Sequence, residues 1–456
     1  MNIFIHRRDL RFNDNTSLNI MINKYEFITP IFIFDPIQID KKRNKYFSNN
    51  LVEFMCDTLL ELKQKYQKKN IEFLFFEGKI IDVLEDFKKK NKINSIGFNK
   101  DYSPYSKDRD SKILEWCKNN FVDCIIEEDM LISPINIGNS LNPNSKKPYL
   151  VYTPFKNNLM KYKVEKPFSE NLKGNVNKIK SSKFNLEETQ IRKFYINNDN
   201  KHVKGGRDEA LKILSNISLK KDYNKCRDYL TYSTTNLSAY INLGIVSIRE
   251  VYHKVLESLG KNNLIINELY WRDFYYNILH YFPRVVGNSF KEKYDNIKWE
   301  NNEILFEKWK KGETGFPIVD ACMRQLNNTG FMHNRGRMIV ASFLTKDLLI
   351  DWKLGERYFA TKLVDCNISA NNGGWQWAAG TGTDAQPYFR IFNPWSQSLK
   401  FDPDCKYIKK WIPELKNEEN KHIHEWYKYH NNQIYPEPII DHKEARKKAL
   451  ELYKNL

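Results

Sequence analysis

The 456-residue chain is long for one hydrophobic core, so two domains are expected, and a hydrophobic fraction of 41% excludes a disordered chain. Its 73 lysines and arginines against 56 acidic residues leave a formal charge of +17, which favours a polyanionic partner, nucleic acid or a membrane surface, without choosing between them; a lysine-rich compositional bias is the plainer source of the same charge. The seven cysteines, an odd number, show no C-x-x-C pair and no zinc spacing, so neither a disulfide framework nor a metal site is expected.

The first residues, MNIFIHRRDLRF, carry charges where a signal peptide needs an apolar core, and no apolar run is long enough to span a bilayer. A soluble, cytoplasmic protein is expected. Over residues 1–130 strand and helix signals alternate. Asn2–His6, Phe27–Phe34, Ile71–Phe76, Ser95–Asn99 and Asp123–Glu127 read as strands. Leu51, Met55, Leu59 and Leu62 fall at helical spacing, and Ile80–Phe87 and Ser106–Asn119 read as helices. That alternation predicts a Rossmann-like parallel sheet with crossover helices, although no G-x-G-x-x-G follows the first strand. A ligand there would sit at the carboxyl ends of the strands. From about residue 155 to 204 Lys, Asn and Ser dominate and apolar periodicity weakens, so residues 131–204 read as a long surface connector.

From Gly205 strand signals nearly vanish, so residues 205–456 read as an all-α domain, and the fold class is α/β plus all-α. Helices are expected behind Gly205-Gly206 and over Ser247–Leu259, Ile265–Tyr281, Phe316–Asn327, Arg335–Asp347 and Glu356–Leu363, with Trp352 on the long helix that follows Met338. Nine of the ten tryptophans lie after residue 270, which places the chemistry in this half.

Four stretches carry that chemistry. In NNGGWQWAAGTGTDAQPYFRIFNPWSQ, glycines allow close backbone approach to something flat, and Trp375 and Trp377 offer planes, so it reads as the floor of a cofactor pocket. In NELYWRDFYY, Glu268, Trp271 and Tyr275 share one helical face; they hold a flat polar ligand, or the helix is merely amphipathic with Trp271 in the core. In GFMHNRGRM, Asn334 and Met338 share a face flanked by Arg335 and Arg337: asparagine reads base edges, arginine meets phosphate, methionine makes an adaptable wall, and His333 fits a structural role better than a catalytic one. Ser233–Tyr240, STTNLSAY, either binds phosphate at a helix start or simply caps that helix. With no catalytic triad, metal cluster or Walker loop, the chemistry has to be a cofactor's.

These blocks, with HRRDLRFNDNTSL near the start, TGFMHNRGRMIVASFLTKDLLIDW and DHKEARKKAL near the end, resemble the photolyase/cryptochrome family, and within it the class I cyclobutane pyrimidine dimer photolyases, over essentially the whole chain. The resemblance implies light-driven repair of UV-damaged DNA. Residues 1–130 would be an antenna domain and 205–456 the domain that buries FAD. It implies FAD contacts from Tyr223, from Thr234, Thr235, Asn236, Leu237 and Ser238, and from Asp365, Cys366 and Asn367, with Asn371 at the flavin N5. The lesion pocket would be Glu268, Trp271, Asn334, Arg335, Met338 and Trp377, with Arg272 and Gln397 on the DNA. Trp375, Trp352 and Trp299 match the family's chain of tryptophans from flavin to surface. Glu268 would stabilise charge on the dimer, Asn371 would favour reduced flavin, and Trp377 would complete the catalytic set. Asn367 stands where many relatives carry aspartate, and Ile265 replaces an aromatic used by some. NKDYSPYSKDRD resembles members with a deazaflavin antenna and lacks the glutamate of folate-binding ones; both chromophores stay open, with Asp101 a candidate contact. No obligate protein partner is implied, so a monomer is expected. The second reading is a cryptochrome photoreceptor; many of these carry a C-terminal extension, whereas this chain ends soon after Pro438.

Overall fold

Five short apolar and β-branched runs form the strands β1 (Asn2–His6), β2 (Thr29–Phe34), β3 (Leu74–Glu77), β4 (Ser95–Asn99) and β5 (Asp123–Glu127) in this computed structural model, which describes residues 1–169, 172 and 182–454. Neighbouring strands all run parallel, in the order β3-β2-β1-β4-β5. Helices Thr16–Lys24, Asn49–Gln67, Ile80–Lys90 and Pro104–Asn119 make the crossovers. Every residue of β2 is buried, as a strand covered on both faces requires. The strand expected from Ile71 begins only at Leu74. Ile71 is still closing the turn off the preceding helix, its N–H donating to the Tyr66 carbonyl at 3.0 Å, with Asn70 left-handed at φ 56°.

The chain divides into two compact units. The first comprises residues 1–197, 203–219 and 235–283, so helices Ile248–Leu259 and Leu264–Tyr281 belong with the sheet; the second comprises 198–202, 220–234 and 284–456. Within the stretch expected as a connector, residues 170, 171 and 173–181 lie outside the described ones. The rest is partly packed core. Helix Tyr152–Leu159 buries Tyr152, Phe155 and Leu159, a 3-10 turn over Glu188–Phe194 buries Ile191, and Phe194 stacks on Phe34 at 4.8 Å. Among the described residues no strand follows Glu127, and no helix is long and apolar enough to cross a membrane. All seven cysteines are free thiols.

A buried charge network fastens the loop after β1 to helix Ile248–Leu259. The Arg11 guanidinium meets Asp129 at 2.5 Å, while Arg249 bonds both Asp14 and Asp129, at 2.9 and 2.8 Å. Charges this deep are tolerable only because each is paired. Burial alone would raise the Asp129 carboxyl, and the two guanidiniums hold it far below the usual carboxylate range. Leu10 N–H donates to Leu243 O at 3.0 Å and Arg11 to Gly244 O at 2.9 Å, so residues 243–244 lie against the loop.

In the second unit, helices Glu303–Lys311, Pro317–Thr329, Asn334–Ser342, Trp352–Lys362, Ile368–Ala379, Pro394–Phe401 and His442–Lys454 surround a core holding the fully buried Trp309, Trp352 and Trp426. Trp352 does not continue the helix that carries Met338. That helix widens into a π-turn over Phe343–Asp347, where Thr345 Oγ1 donates back to Ala341 O at 2.9 Å. Leu349 then turns left-handed at φ 49°, and Asp351 caps a new helix that Trp352 begins. The buried Lys346 of the π-turn donates to Ala379 O at 2.8 Å and lies over the Tyr453 ring at 3.4 Å, which docks the last helix.

Gly244 is left-handed (φ +58°), and a Cβ there would lie 2.3 Å from the Arg8 carbonyl oxygen. G244A is therefore expected to destabilise the protein by at least about 2 kcal/mol, since the strained conformation and the displaced loop both contribute. Denaturant unfolding measures this directly; a cost under about 0.5 kcal/mol, the range of neutral surface changes, would show that the loop gives way freely.

Candidate active site

The second unit holds most of the candidate residues, six of them on helix Ile368–Ala379 or directly before it. Asn367 caps that helix: its Oδ1 accepts from Ser369 N and Ala370 N, each at 3.1 Å, and from Ser369 Oγ at 2.6 Å. The cap needs only a short acceptor, which the asparagine side chain supplies. One turn on, Asn371 donates from Nδ2 to the Glu356 carbonyl at 3.0 Å, while Asn372 donates to the Glu356 carboxylate at 3.2 Å and to Val285 O at 2.9 Å. Asn371 and Gly374 lie on one face, three residues apart. A Cβ added at Gly374 would meet nothing within 4 Å, so that face opens on empty space. Trp375 points the opposite way, buried, edge-on to Phe359 at 4.9 Å and to Trp309 at 6.1 Å. Trp377 is half-buried.

Immediately before this helix, the buried Asp365 carboxylate takes two hydrogen bonds from Arg337 Nη2, at 3.0 and 2.9 Å, and Cys366 is half-buried beside it. His333 caps helix Asn334–Ser342 by accepting from Arg335 N at 3.1 Å. Burial pushes its imidazole down to about 4, so it is neutral near pH 7 and has a structural role. Asn334 is exposed and its Nδ2 lies 3.7 Å from Met338 Sδ, on the shared face that the spacing predicts. Arg335 pairs with Asp228 at 2.8 Å and lies over the Phe401 ring at 4.3 Å. Gln397 is half-buried and its Oε1 has no hydrogen-bond partner among the described residues. Tyr223 is buried and Thr234 half-buried, Trp352 is buried at the start of its helix, and Trp299 is half-buried with its ring edge-on to Tyr453 at 6.1 Å.

In the first unit, Thr235 and Asn236 are half-buried, Asn236 is left-handed at φ 56°, Leu237 is buried, and the exposed Ser238 opens a short helix, Ser238–Asn242. Helix Leu264–Tyr281 is capped by Asn263, which accepts from Ile265 N at 2.9 Å; Ile265 itself is buried. The helix carries Glu268, Trp271 and Arg272, all half-buried. Arg272 donates to Met130 O at 2.6 Å and covers the Tyr276 ring at 4.8 Å. Next to it Asp273 is fully buried and accepts from Ile132 N at 2.8 Å. Trp271 is stacked face to face on Tyr152, with centroids 3.7 Å apart and planes 8° apart. At the carboxyl ends of β1 and β4, Asp101 lies 3.5 Å from Arg8. Burial would raise its carboxyl, but Arg8, Arg109 and Arg7 hold it below the usual value. Arg8 in turn donates to Tyr276 Oη at 2.7 Å, and Arg7 is bonded to Asp110 and to the Asn99 carbonyl.

The sequence matches two family descriptions, "DNA photolyase" over residues 2–172 and "FAD binding domain of DNA photolyase" over residues 265–455. It is 37% identical to a deoxyribodipyrimidine photo-lyase of Buchnera aphidicola, over 99% of this chain and 96% of the relative. The chain belongs to the DNA photolyase family. Its fold is similar to that of an archaeal photolyase from Sulfolobus tokodaii, described with two FAD molecules, at a TM-score of 0.89 and 39% identity over 100% of both chains. It is also similar to a Synechocystis cryptochrome, at a TM-score of 0.90 and 25% identity over 99% of each chain.

The residues present suit a flavin. The Asn371–Gly374 face offers one polar group beside space free of side chains, and the Arg337–Asp365 pair stands just before the helix that carries it. Sequence reasoning named Arg337 only as a flanking arginine and missed Glu356 and Tyr152 altogether. The tyrosine had a signal: Tyr149, Tyr152 and Phe155 recur at intervals of three, in a stretch whose Lys-Asn-Ser composition masked it. Glu356 had none, since its partners lie 15 and 16 residues away on the next helix.

Burial pushes the Glu356 carboxyl up from 4.5 to about 7, against the Asn372 amide, which favours the charged form. The folded chain holds this proton more tightly than the unfolded chain. The stability so contributed is complete below about pH 4.5 and is lost as pH rises through 7. E356Q keeps an acceptor for Asn372 and cannot ionise. It is expected to gain on the parent by up to about 3 kcal/mol between about pH 5 and pH 8, read from denaturant unfolding at each pH. Parallel pH profiles would show that Glu356 does not titrate in this range.

Proposed function

We propose that this protein repairs cyclobutane pyrimidine dimers in UV-damaged DNA with light, using FAD held by residues 205–456. The observation that carries this reading is helix Ile368–Ala379, where Asn371 and Gly374 border open space while Trp375 on the other side enters the aromatic core. When bound and reduced, FAD supplies the photochemistry, an electron lent to the dimer on excitation and recovered once the two cyclobutane bonds have opened. The protein's part is to extrude the lesion, hold it and orient it.

A dimer stacks poorly in the duplex, so it flips out more cheaply than an intact base. Trp271 offers it a half-exposed indole, and base–aromatic stacking contributes roughly 1–3 kcal/mol per base. Trp377 is assigned as the second wall, and Asn334 with Met338 as a polar and an apolar edge. Glu268, one turn before Trp271, stabilises charge developing on a pyrimidine carbonyl. Asn371 spends one Nδ2 hydrogen on the Glu356 carbonyl and keeps Oδ1 and a second N–H; Oδ1 is an acceptor that favours a ring nitrogen carrying hydrogen. Arg335, Arg272 and Gln397 are assigned to the DNA strand, and the +17 charge gives salt-dependent attraction to phosphates. Tyr223, Thr234–Ser238, Asp365, Cys366 and Asn367 are assigned to FAD, and Trp375, Trp352 and Trp299 to the electron route that reduces it. An antenna chromophore, a deazaflavin or a folate, is assigned to residues 1–130 beside Asp101, with 131–204 as the connection. The protein works as a cytoplasmic monomer.

Purified, reduced protein should restore a thymine-dimer oligonucleotide in blue light and leave it unchanged in the dark, with repair weakened in E268A at full flavin content. Light-dependent photoreduction without repair would turn the reading to a cryptochrome photoreceptor. Trp352→Phe should slow photoreduction of the oxidised flavin at least about tenfold, because tunnelling falls steeply with distance, and leave repair by pre-reduced protein intact. Parental photoreduction in that variant, followed by transient absorption, would remove Trp352 from the route.

A further inference from the structure

Trp271 is half-exposed, but the ring against it is not: Tyr152 is only 7% exposed. The tyrosine is therefore the buried layer beneath the indole, whose other ring neighbours are Phe274, edge-on, and Tyr275, tilted by 30° at 5.6 Å. A hydrogen bond and an edge-on ring hold the Tyr152 ring from its other sides. Its hydroxyl donates to the Asn267 carbonyl at 2.7 Å, one helical turn before Trp271, so it grips the same turn that carries the tryptophan. Phe274 meets it edge-on at 6.0 Å, and Phe155, from the tyrosine's own helix, backs Phe274 at 5.4 Å. Trp271 itself meets Phe274 edge-on at 5.7 Å. The indole plane is thus set from below by a stack 3.7 Å deep and 8° from parallel.

We propose that Tyr152 is a positioning residue for lesion recognition: its ring holds the Trp271 indole in the plane on which the flipped dimer stacks. This rests on the reading of Trp271 as a wall of the lesion pocket. An unsupported indole would sample several rotamers and lose that freedom each time a lesion bound. A supported one has already lost it, so binding is tighter without any new contact to DNA. The effect is confined to the lesion, because undamaged duplex is held through its phosphates.

The test measures binding of a thymine-dimer oligonucleotide and of its undamaged counterpart by flavin-loaded protein, using Y152L, Y152F, W271A and the double variant Y152L/W271A. Y152L fills the volume without a flat ring; Y152F keeps the ring and loses only the bond to Asn267. Y152L is expected to weaken lesion binding roughly 3- to 10-fold, the worth of an aromatic pair, with affinity for undamaged DNA and flavin absorbance unchanged. Y152F should restore lesion binding to within about twofold. In the W271A background Y152L should add nothing, since its effect passes through the indole. Unchanged or tighter lesion binding in Y152L overturns the proposal, tighter binding marking the tyrosine as a placeholder for the dimer. An equal loss in the W271A background overturns it too, as does an equal loss on undamaged DNA. Should W271A bind the lesion like the parent, the wall reading itself falls; should W271A weaken binding and Y152L not, only the role of Tyr152 falls. If Y152L lacks flavin or folded structure, Y152H, a smaller flat ring, takes its place, with lesion binding well above that of W271A expected and binding equal to W271A decisive against.

Discussion

The close approach of two helices in the second unit governs the geometry around the candidate flavin face. Gly355, on helix Trp352–Lys362, leaves room for the Trp375 indole of helix Ile368–Ala379: a Cβ there would stand 2.1 Å from the indole ring. Everything nearby follows from that approach. With the helices so close, the next residue, Glu356, brings its carbonyl within reach of Asn371 and its carboxylate within reach of Asn372. Gln376 continues the ladder, donating to Asn372 Oδ1 at 3.0 Å and to Asn288 O at 3.1 Å. The indole fills one side of the helix and the amides are tied down, so the side carrying Asn371 and Gly374 is left clear.

A buried carboxylate with a raised proton affinity is an unusual choice for such a framework. Its use here is orientation. The Glu356 main-chain carbonyl fixes which way the Asn371 amide is turned, and the side chain does the same for Asn372. Both asparagines therefore present defined polarity in an apolar surround, where an unpaired amide would be costly. The first unit uses the same strategy on a different group. Tyr152 and the Asn267 carbonyl orient an indole, as Glu356 orients an amide. In each case a half-buried group is backed by a buried partner, and the buried partner is what makes it rigid.

The electrostatics separate into two kinds. Deep pairs such as Arg11 with Asp129 and Arg249 with Asp14 are structural; removing one partner would strand the other in low dielectric. Exposed charges act at longer range, and a net charge of +17 favours a polyanion under salt-dependent attraction. Arg272 and Arg335 stand between these kinds. Each is half-buried and already partnered, by Met130 O and by Asp228, so a role on DNA requires each to extend or exchange a contact.

The sequence by itself determined the parallel sheet, because alternating apolar runs and amphipathic stretches have local periods that survive translation into structure. It determined the helical second half and the shared faces of Glu268 with Trp271 and of Asn334 with Met338, since helix spacing alone settles which residues are neighbours. Long runs of family likeness determined the class of chemistry. Only the tertiary structure decided the rest. Ile71 could not be told from strand until Tyr66 took its amide, and Trp352 could not be separated from the helix of Met338 until the π-turn and Leu349 broke it. Residues 152–159 and 188–194 looked like surface by composition and proved to be core. Tyr152 beneath Trp271, Glu356 beneath Asn371 and Gly355 against Trp375 all join residues that lie on different helices. Such contacts leave no periodic trace in the chain, because what selects them is the shape of the packed interior and not the spacing of neighbours along it.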